Sequence, residues 1–199
     1  ALKILRKVSE TFDVPTVTDI HEVSDAEKAA EYVDVLQIPA FLVRQTDLVV
    51  AAAKTGKVVN LKKGQFMSPG AMKHAVKKVQ DAGNHQVMTT DRGTMFGYQD
   101  MIVDPRNLIW LRSDTNLVSM DITHCLQQPA QVMTDGTVKA GGLRDMIPYM
   151  GKVALALGVN GIFLEVHDNP DQSKCDAPTQ WPLDRLYWLL NWLGIKANK

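Results

Sequence analysis

Apolar residues fall along this chain in two alternating rhythms. Short, mainly apolar stretches mark buried strands: Val14 to Val17, Val33 to Leu36, Val58 to Val59, Val87 to Met88, Leu117 to Met120 and Ile162 to Leu164. Between them the spacing is helical. Residues 1–12 place Leu2, Leu5, Val8 and Phe12 about one turn apart. Ser24-Asp25-Ala26-Glu27 pairs a serine with a glutamate three residues on, a helix-start pattern that leads into Ala29-Ala30-Tyr32. Gln45 to Lys54 stops at Gly56, and Ser68-Pro69-Gly70 opens a helix that runs to Gly83. Further helices are expected from Asp104-Pro105-Arg106, over residues 142–157, and from Trp181 to Leu193.

The order is a helix, then strand and helix six times over. Strands that follow helices this closely pair in parallel through crossovers. No GxGxxG follows a strand, which argues against an open dinucleotide-binding sheet. A (β/α)8 barrel, the TIM barrel, typically needs about 250 residues. The 199 residues therefore predict one barrel domain, 1–199, with six of the eight βα units present and the first two strands absent. The stretch from Leu126 to Gly142, with Pro129 and three glycines, reads as a long irregular lid.

Composition narrows the partners. The 22 basic and 22 acidic side chains cancel, so no long-range field draws the chain to nucleic acid or an anionic membrane. Charges interrupt every apolar run well short of the roughly 20 residues of a membrane span. Two cysteines, Cys125 and Cys175, make no disulfide framework, and Ala1-Leu2-Lys3-Ile4-Leu5-Arg6 has no signal-like apolar core. A reducing, cytoplasmic setting is the expectation.

Parallel β/α proteins gather their chemistry at the carboxyl ends of the strands. Here those ends carry Asp19 and His21, Gln37 and Ala40, Lys62, Arg92, His124, and Glu165. Lys62 and Arg92 offer paired donors for a phosphate or carboxylate, with Gly64 and Gly93 beside them permitting close backbone approach. The alternative is two solvated basic residues at a sheet rim. His124, Glu165 and Asp176, with His21 on another strand end, form an imidazole–carboxylate set suited to zinc, iron or manganese. No HExxH or CxxC spacing supports it, and ordinary hydrogen-bonded polar residues are the competing reading. Cys125 follows His124 directly and so faces away from it on a strand, which argues against a Cys–His nucleophile. Trp181, Trp188 and Trp192 are expected to pack the last helix against the barrel, and Met67, Met72 and Met88 to lie in or near the core.

The strand ends together resemble a known family. Gln37-Ile38-Pro39-Ala40-Phe41-Leu42-Val43-Arg44-Gln45-Thr46-Asp47, Asn60-Leu61-Lys62-Lys63-Gly64-Gln65-Phe66, and Asp91-Arg92-Gly93-Thr94-Met95-Phe96-Gly97-Tyr98 resemble segments of the 3-deoxy-D-manno-octulosonate 8-phosphate synthases. So do Asp121-Ile122-Thr123-His124, Glu165-Val166-His167-Asp168-Asn169-Pro170 and Cys175-Asp176-Ala177-Pro178-Thr179-Gln180. The resemblance implies a (β/α)8 barrel, a homotetramer, and condensation of phosphoenolpyruvate with D-arabinose 5-phosphate. It implies Lys62 and Arg92 as phosphoenolpyruvate ligands, with Gln37 and Ala40 lining that pocket. Asp19 and His21 resemble residues near the sugar, and Arg44 an arginine presented to a neighbouring subunit's site. Gln127 falls in the loop after His124, where substrate contact is implied. In the metal-dependent branch His124, Glu165 and Asp176 bind the ion together with a cysteine of the first strand. That strand's deciding residue is absent here, so the metal stays open. Two other readings remain: the related heptulosonate-phosphate synthase, disfavoured by Lys62-Lys63-Gly64 and Ile122-Thr123-His124, and a truncated, non-catalytic barrel.

Overall fold

The predicted alternation is realised in the computed structural model, which describes residues 1–96, 99–113 and 116–196. Two compact units result: Ala1–Thr90 with Trp110–Val118, and Asp91–Ile109 with the residues from Ser119 onward.

In the first unit, helix α1 (Leu2–Phe12) ends at Asp13, whose left-handed backbone (φ 51°) stops the helix. Strands β1 (Val17–Asp19), β2 (Val35–Ile38), β3 (Val58–Lys62) and β4 (Val87–Asp91) pair in parallel and in sequence order. Helices α2 (Val23–Ala30), α3 (Thr46–Lys54) and α4 (Pro69–Asp81) make the crossovers, and α3 packs against both of the others. Leu36, Ile38, Val49, Val59, Leu61, Met72 and Val79 have no solvent exposure. Each large apolar side chain so buried contributes roughly 1.5–3 kcal/mol over exposure. Both faces of β2 and β3 are covered, as parallel strands require. Their polar members, Gln37 and Asn60, must then find partners inside.

Helix starts follow local chemistry. Ser68 caps α4 by accepting from the Ala71 amide (3.1 Å), with Pro69 in the first turn. For α2 the expected Ser24–Glu27 box is not the one used. Glu22 is the cap, and Asp25 three residues later accepts from the Glu22 (3.0 Å) and His21 (3.2 Å) amides. A carboxylate two residues earlier reaches the free amides, so the helix begins sooner than the serine predicts.

After α5 (Arg106–Leu111), the first half of β5 (Asn116–Asp121) lies beside β4, where Asn116 Nδ2 donates to Thr89 Oγ1 (3.2 Å). In the second unit the other half of β5 pairs in parallel with β8 (Gly161–Phe163), from Ser119↔Gly161 to Asp121↔Phe163. The parallel order is β1-β2-β3-β4-β5-β8.

The stretch expected to be an irregular lid is instead an antiparallel hairpin, β6 (Gln127–Val132) and β7 (Val138–Gly142). Pro129 hid it from the apolar pattern. It sits in a bulge between Gln128 and Gln131, beside Ala130 at φ 54°, where no ladder amide is required of it.

Two helices are shorter than expected. A 3-10 turn at Arg144–Met146 precedes α6 (Ile147–Ala156). Trp181–Pro182 is a strand, β10, parallel to β9 (Val166–His167), and a turn separates it from α7 (Leu186–Leu193). Gly151 lets α7 approach α6, since a Cβ there would fall 2.7 Å from Leu193 Cδ2. The tryptophans behave differently from expectation. Trp181 is buried, but Trp188 and Trp192 stay about half exposed and stack on one another at 5.8 Å. Met67 and Met72 are buried and Met88 partly so. Among the described residues no helix is long and apolar enough to cross a membrane.

Candidate active site

In the second unit the site grows from the end of β5. Asp121 is fully buried, and its Oδ1 accepts from the Thr123 (3.0 Å) and His124 (2.8 Å) amides, closing a tight turn. Its Oδ2 lies 2.7 Å from His124 Nδ1. An ionised carboxylate only accepts, so Nδ1 carries the proton and Nε2 is the atom left to the site. Nε2 faces Glu165 Oε1 at 3.3 Å and Asp176 Oδ2 at 3.9 Å.

Glu165 follows β8, and its amide donates to the buried Thr123 hydroxyl (2.8 Å). Gln180 Nε2 donates to Glu165 Oε2 (3.3 Å) and to the Cys175 carbonyl (3.2 Å). Asp176 has a left-handed backbone (φ 53°), which aspartate tolerates better than most residues. Its carbonyl receives the Thr179 (2.9 Å) and Gln180 (3.1 Å) amides. Arg144 donates to the Ala177 carbonyl and to Asp171 Oδ1 (3.1 Å), tying this loop to the end of the hairpin. Gly142 meets it from the same side: a Cβ there would lie 2.3 Å from Thr179 Cγ2.

Arg92 joins the group through Gln127. Arg92 Nη2 donates to Gln127 Oε1, and Gln127 Nε2 donates to Asp176 Oδ1. Burial pushes the Arg92 guanidinium down from its ordinary value, against the pull of Asp121, Asp176, Cys125 and Glu165. Three carboxylates around one imidazole and one guanidinium leave a surplus of negative charge. The donor atoms of His124, Glu165 and Asp176 lie within 4.8 Å of one another. That set fits a divalent ion with bonds of about 2.1 Å, and the Asp121 contact supplies the outer carboxylate that orients a metal-binding histidine.

The expected contrast between Cys125 and His124 holds for a different reason. The pair lies in a 3-10 turn rather than on a strand. Cys125 is buried, and burial followed by the charge of Asp121 pushes its thiol up. No thiolate is available there. Cys175 is exposed, its thiol also raised, first by desolvation and then by Asp176.

In the first unit the strand-end residues form a second polar group. Gln37 Nε2 donates to Asp19 Oδ1 (2.6 Å), Asn60 Nδ2 to Gln37 Oε1 (2.7 Å), and the Thr90 hydroxyl to Asn60 Oδ1 (2.8 Å). Lys62 and Lys63 are buried at the end of β3, and Lys63 Nζ reaches the Gly64 and Met67 carbonyls, each at 3.4 Å. Ala40 is buried in the turn after β2, whereas His21 and Arg44 are exposed. The two glycines serve packing. A Cβ on Gly64 would meet the Phe66 ring at 2.9 Å, and one on Gly93 (φ 84°) the Ile102 carbonyl at 3.2 Å.

Asp121, Thr123, Asn60, Arg144 and Gln180 were not among the predicted site residues. Asp121 carried a signal, an aspartate three residues before a histidine at a strand end, which is the spacing of a side chain closing its own turn. Asn60 stood out as an amide inside Val58-Val59-Asn60-Leu61. Arg144 and Gln180 act across loops and carried none. Gly97 and Tyr98 of the Asp91–Tyr98 motif lie outside the described residues.

Parallel strands joined by helices, with carboxylates, imidazole and guanidinium gathered at the strand ends, define an α/β protein of the strand-end-site class. Residues 1–194 match the model of the DAHP synthetase I family, and the chain belongs to that family. It is similar to the 2-dehydro-3-deoxyphosphooctonate aldolase of Pisum sativum, 56% identical over 190 residues, which are 95% of this chain and 66% of the relative. It is also similar to 2-dehydro-3-deoxyphosphooctonate aldolase 2 of Arabidopsis thaliana, 55% identical over 99% of this chain and 68% of that protein. The protein of that name from Geobacter sp. (strain M21) is 48% identical over 95% of this chain and 68% of its own length. The chain thus spans about two thirds of the length of these relatives.

Proposed function

We propose that this chain condenses phosphoenolpyruvate with D-arabinose 5-phosphate and water, giving 3-deoxy-D-manno-octulosonate 8-phosphate and inorganic phosphate. The observation that carries it is the joined set Arg92–Gln127–Asp176–His124–Glu165, held by Asp121, in a chain 47–56% identical to 2-dehydro-3-deoxyphosphooctonate aldolases. A carbon–carbon bond forms between C3 of phosphoenolpyruvate and the sugar aldehyde carbon. Water supplies oxygen at C2, and phosphate leaves.

Arg92 and Lys62 hold the phosphate and carboxylate of phosphoenolpyruvate, with Gln37 and Ala40 lining its pocket. Fixed cations stabilise charge that shifts across the molecule without reorganising during the reaction. Asp19 and His21 contact the sugar, and Arg44 reaches it from a neighbouring subunit of a homotetramer. Gln127 carries hydrogen bonds between the anion ligand Arg92 and Asp176. His124 Nε2, Glu165 and Asp176 would hold one zinc, iron or manganese ion, which when bound polarises the aldehyde or orients water. Asp121 keeps the His124 proton on Nδ1, so Nε2 stays a ligand or proton acceptor. The same reading takes the parallel strands as part of a (β/α)8 barrel working in the cytoplasm.

The test is steady-state turnover by the complete protein, followed as phosphoenolpyruvate loss and phosphate release. Turnover with D-arabinose 5-phosphate and none with D-erythrose 4-phosphate is expected. The reverse preference identifies a heptulosonate-phosphate synthase, and release with neither sugar overturns the assignment.

A further inference from the structure

Asn60 sits in a strand whose neighbours are Val58, Val59 and Leu61, where an apolar residue would satisfy the fold. Instead it is the centre of a row. Asp19 stands opposite Gln37 across β1 and β2, and Gln37 opposite Asn60 across β2 and β3. Thr90 lies two residues beyond Met88, the register partner of Asn60, and so on the same face of β4. Gln37 and Asn60 are each 5% exposed and Thr90 not at all, whereas Asp19 is exposed. The row is closed at one end and open at the other.

Its direction is set by chemistry. An ionised Asp19 can only accept, so Gln37 must turn its NH2 toward it and its oxygen toward Asn60. Asn60 then has to present its own NH2 to Gln37, leaving its oxygen for the Thr90 hydroxyl. Every donor points toward Asp19. One reversed amide would set two acceptors against each other inside the sheet.

We propose that Asn60 is a positioning residue that locks the Gln37 amide in this orientation and so holds the Asp19 carboxylate at its open end for a hydroxyl of a sugar-phosphate substrate. Resting on the function proposed above, it adds the residue that orients the polyol-binding end. Asn60 touches no substrate; it acts through Gln37.

The test compares the complete wild-type protein with Asn60→Asp, which keeps the shape but replaces the donor by an acceptor. KM for D-arabinose 5-phosphate should rise about tenfold or more, as expected for a misdirected buried hydrogen bond. kcat should stay within about threefold, the mark of lost ground-state binding. Calorimetric titration of D-arabinose 5-phosphate should show the same loss of affinity without turnover. Thr90→Val and Thr90→Ser settle the matter if Asn60→Asp does not fold: valine should raise the same KM and serine restore it, with thermal midpoints alike. An unchanged KM in an active Asn60→Asp, or equal KM values for the two Thr90 variants, overturns the inference alone. A wild-type protein that binds no sugar phosphate overturns it together with the proposed function. Wild-type binding without turnover overturns only the function.

Discussion

The polar row across β1–β4 and the group around His124 solve different problems. The row uses neutral amides and a hydroxyl at register positions of adjacent strands, ending on one carboxylate. Each member is set by the backbone ladder, and desolvation is offset by hydrogen bonds in a single direction. The His124 group concentrates formal charge, with Asp121, Glu165 and Asp176 around one imidazole. Of its members only Asp121 lies on a strand ladder, opposite Phe163 across β5 and β8. A turn, a short strand end and a left-handed aspartate bring them together, and Gln127, Gln180 and Arg144 hold the loops. Neutral rows tune orientation at small cost. Crowded carboxylates invite a cation and tolerate little change.

Six substitutions probe that contrast, and the largest effect belongs to the charged group. Asp176→Ala or His124→Ala removes a group held at the reacting centre, and kcat should fall by about 10²–10⁴-fold. Steady-state assay with the fold checked by circular dichroism decides it, and near-normal kcat in both variants would place the chemistry elsewhere. Metal analysis belongs to the same experiment. If an ion is held, wild-type protein should bind about one equivalent of manganese after chelator treatment, and the His124→Ala protein far less.

Asp121→Asn comes next. It keeps the shape but removes the charge that fixes the His124 proton on Nδ1, so activity or metal affinity should drop roughly 10–100-fold. An effect as small as that of a surface substitution would make the contact merely structural. Lys62→Ala and Arg92→Ala should each weaken phosphoenolpyruvate binding or turnover by about tenfold or more, since each deletes a charge-assisted contact. Unchanged kinetics in both would remove them from the site.

Smaller still is the effect at a position that serves only the scaffold. Ser68→Ala deletes the α4 cap and should cost about 1 kcal/mol of stability in denaturant titration, with kinetics unchanged. A change in KM there would mean that α4 communicates with the site. Stability should also respond to acid at the start of α2. The Asp25 carboxyl is held below its ordinary 3.8 by the Glu22 and His21 amides. Its contribution is therefore present above that value and lost as pH falls through the depressed one.

Much of this molecule was written in the local pattern. Apolar runs of strand length, separated by stretches of helical spacing, determined six parallel strands, because burial on both faces leaves few other uses for such runs. Strand ends also singled out Arg92, His124, Glu165 and Gln37, since parallel pairing sends all carboxyl ends the same way. The hairpin from Gln127 to Gly142 escaped that reading. Its proline and glycines interrupt the alternation, and its partner strand lies across a turn that no local period marks. Arg144 on the Ala177 carbonyl and the one-way row through Asn60 were decided by tertiary structure alone, whereas Asp121 reaches His124 within its own turn. Hydrophobic period reports which face is buried; which polar atom meets which depends on register and on loop paths set by packing far along the chain.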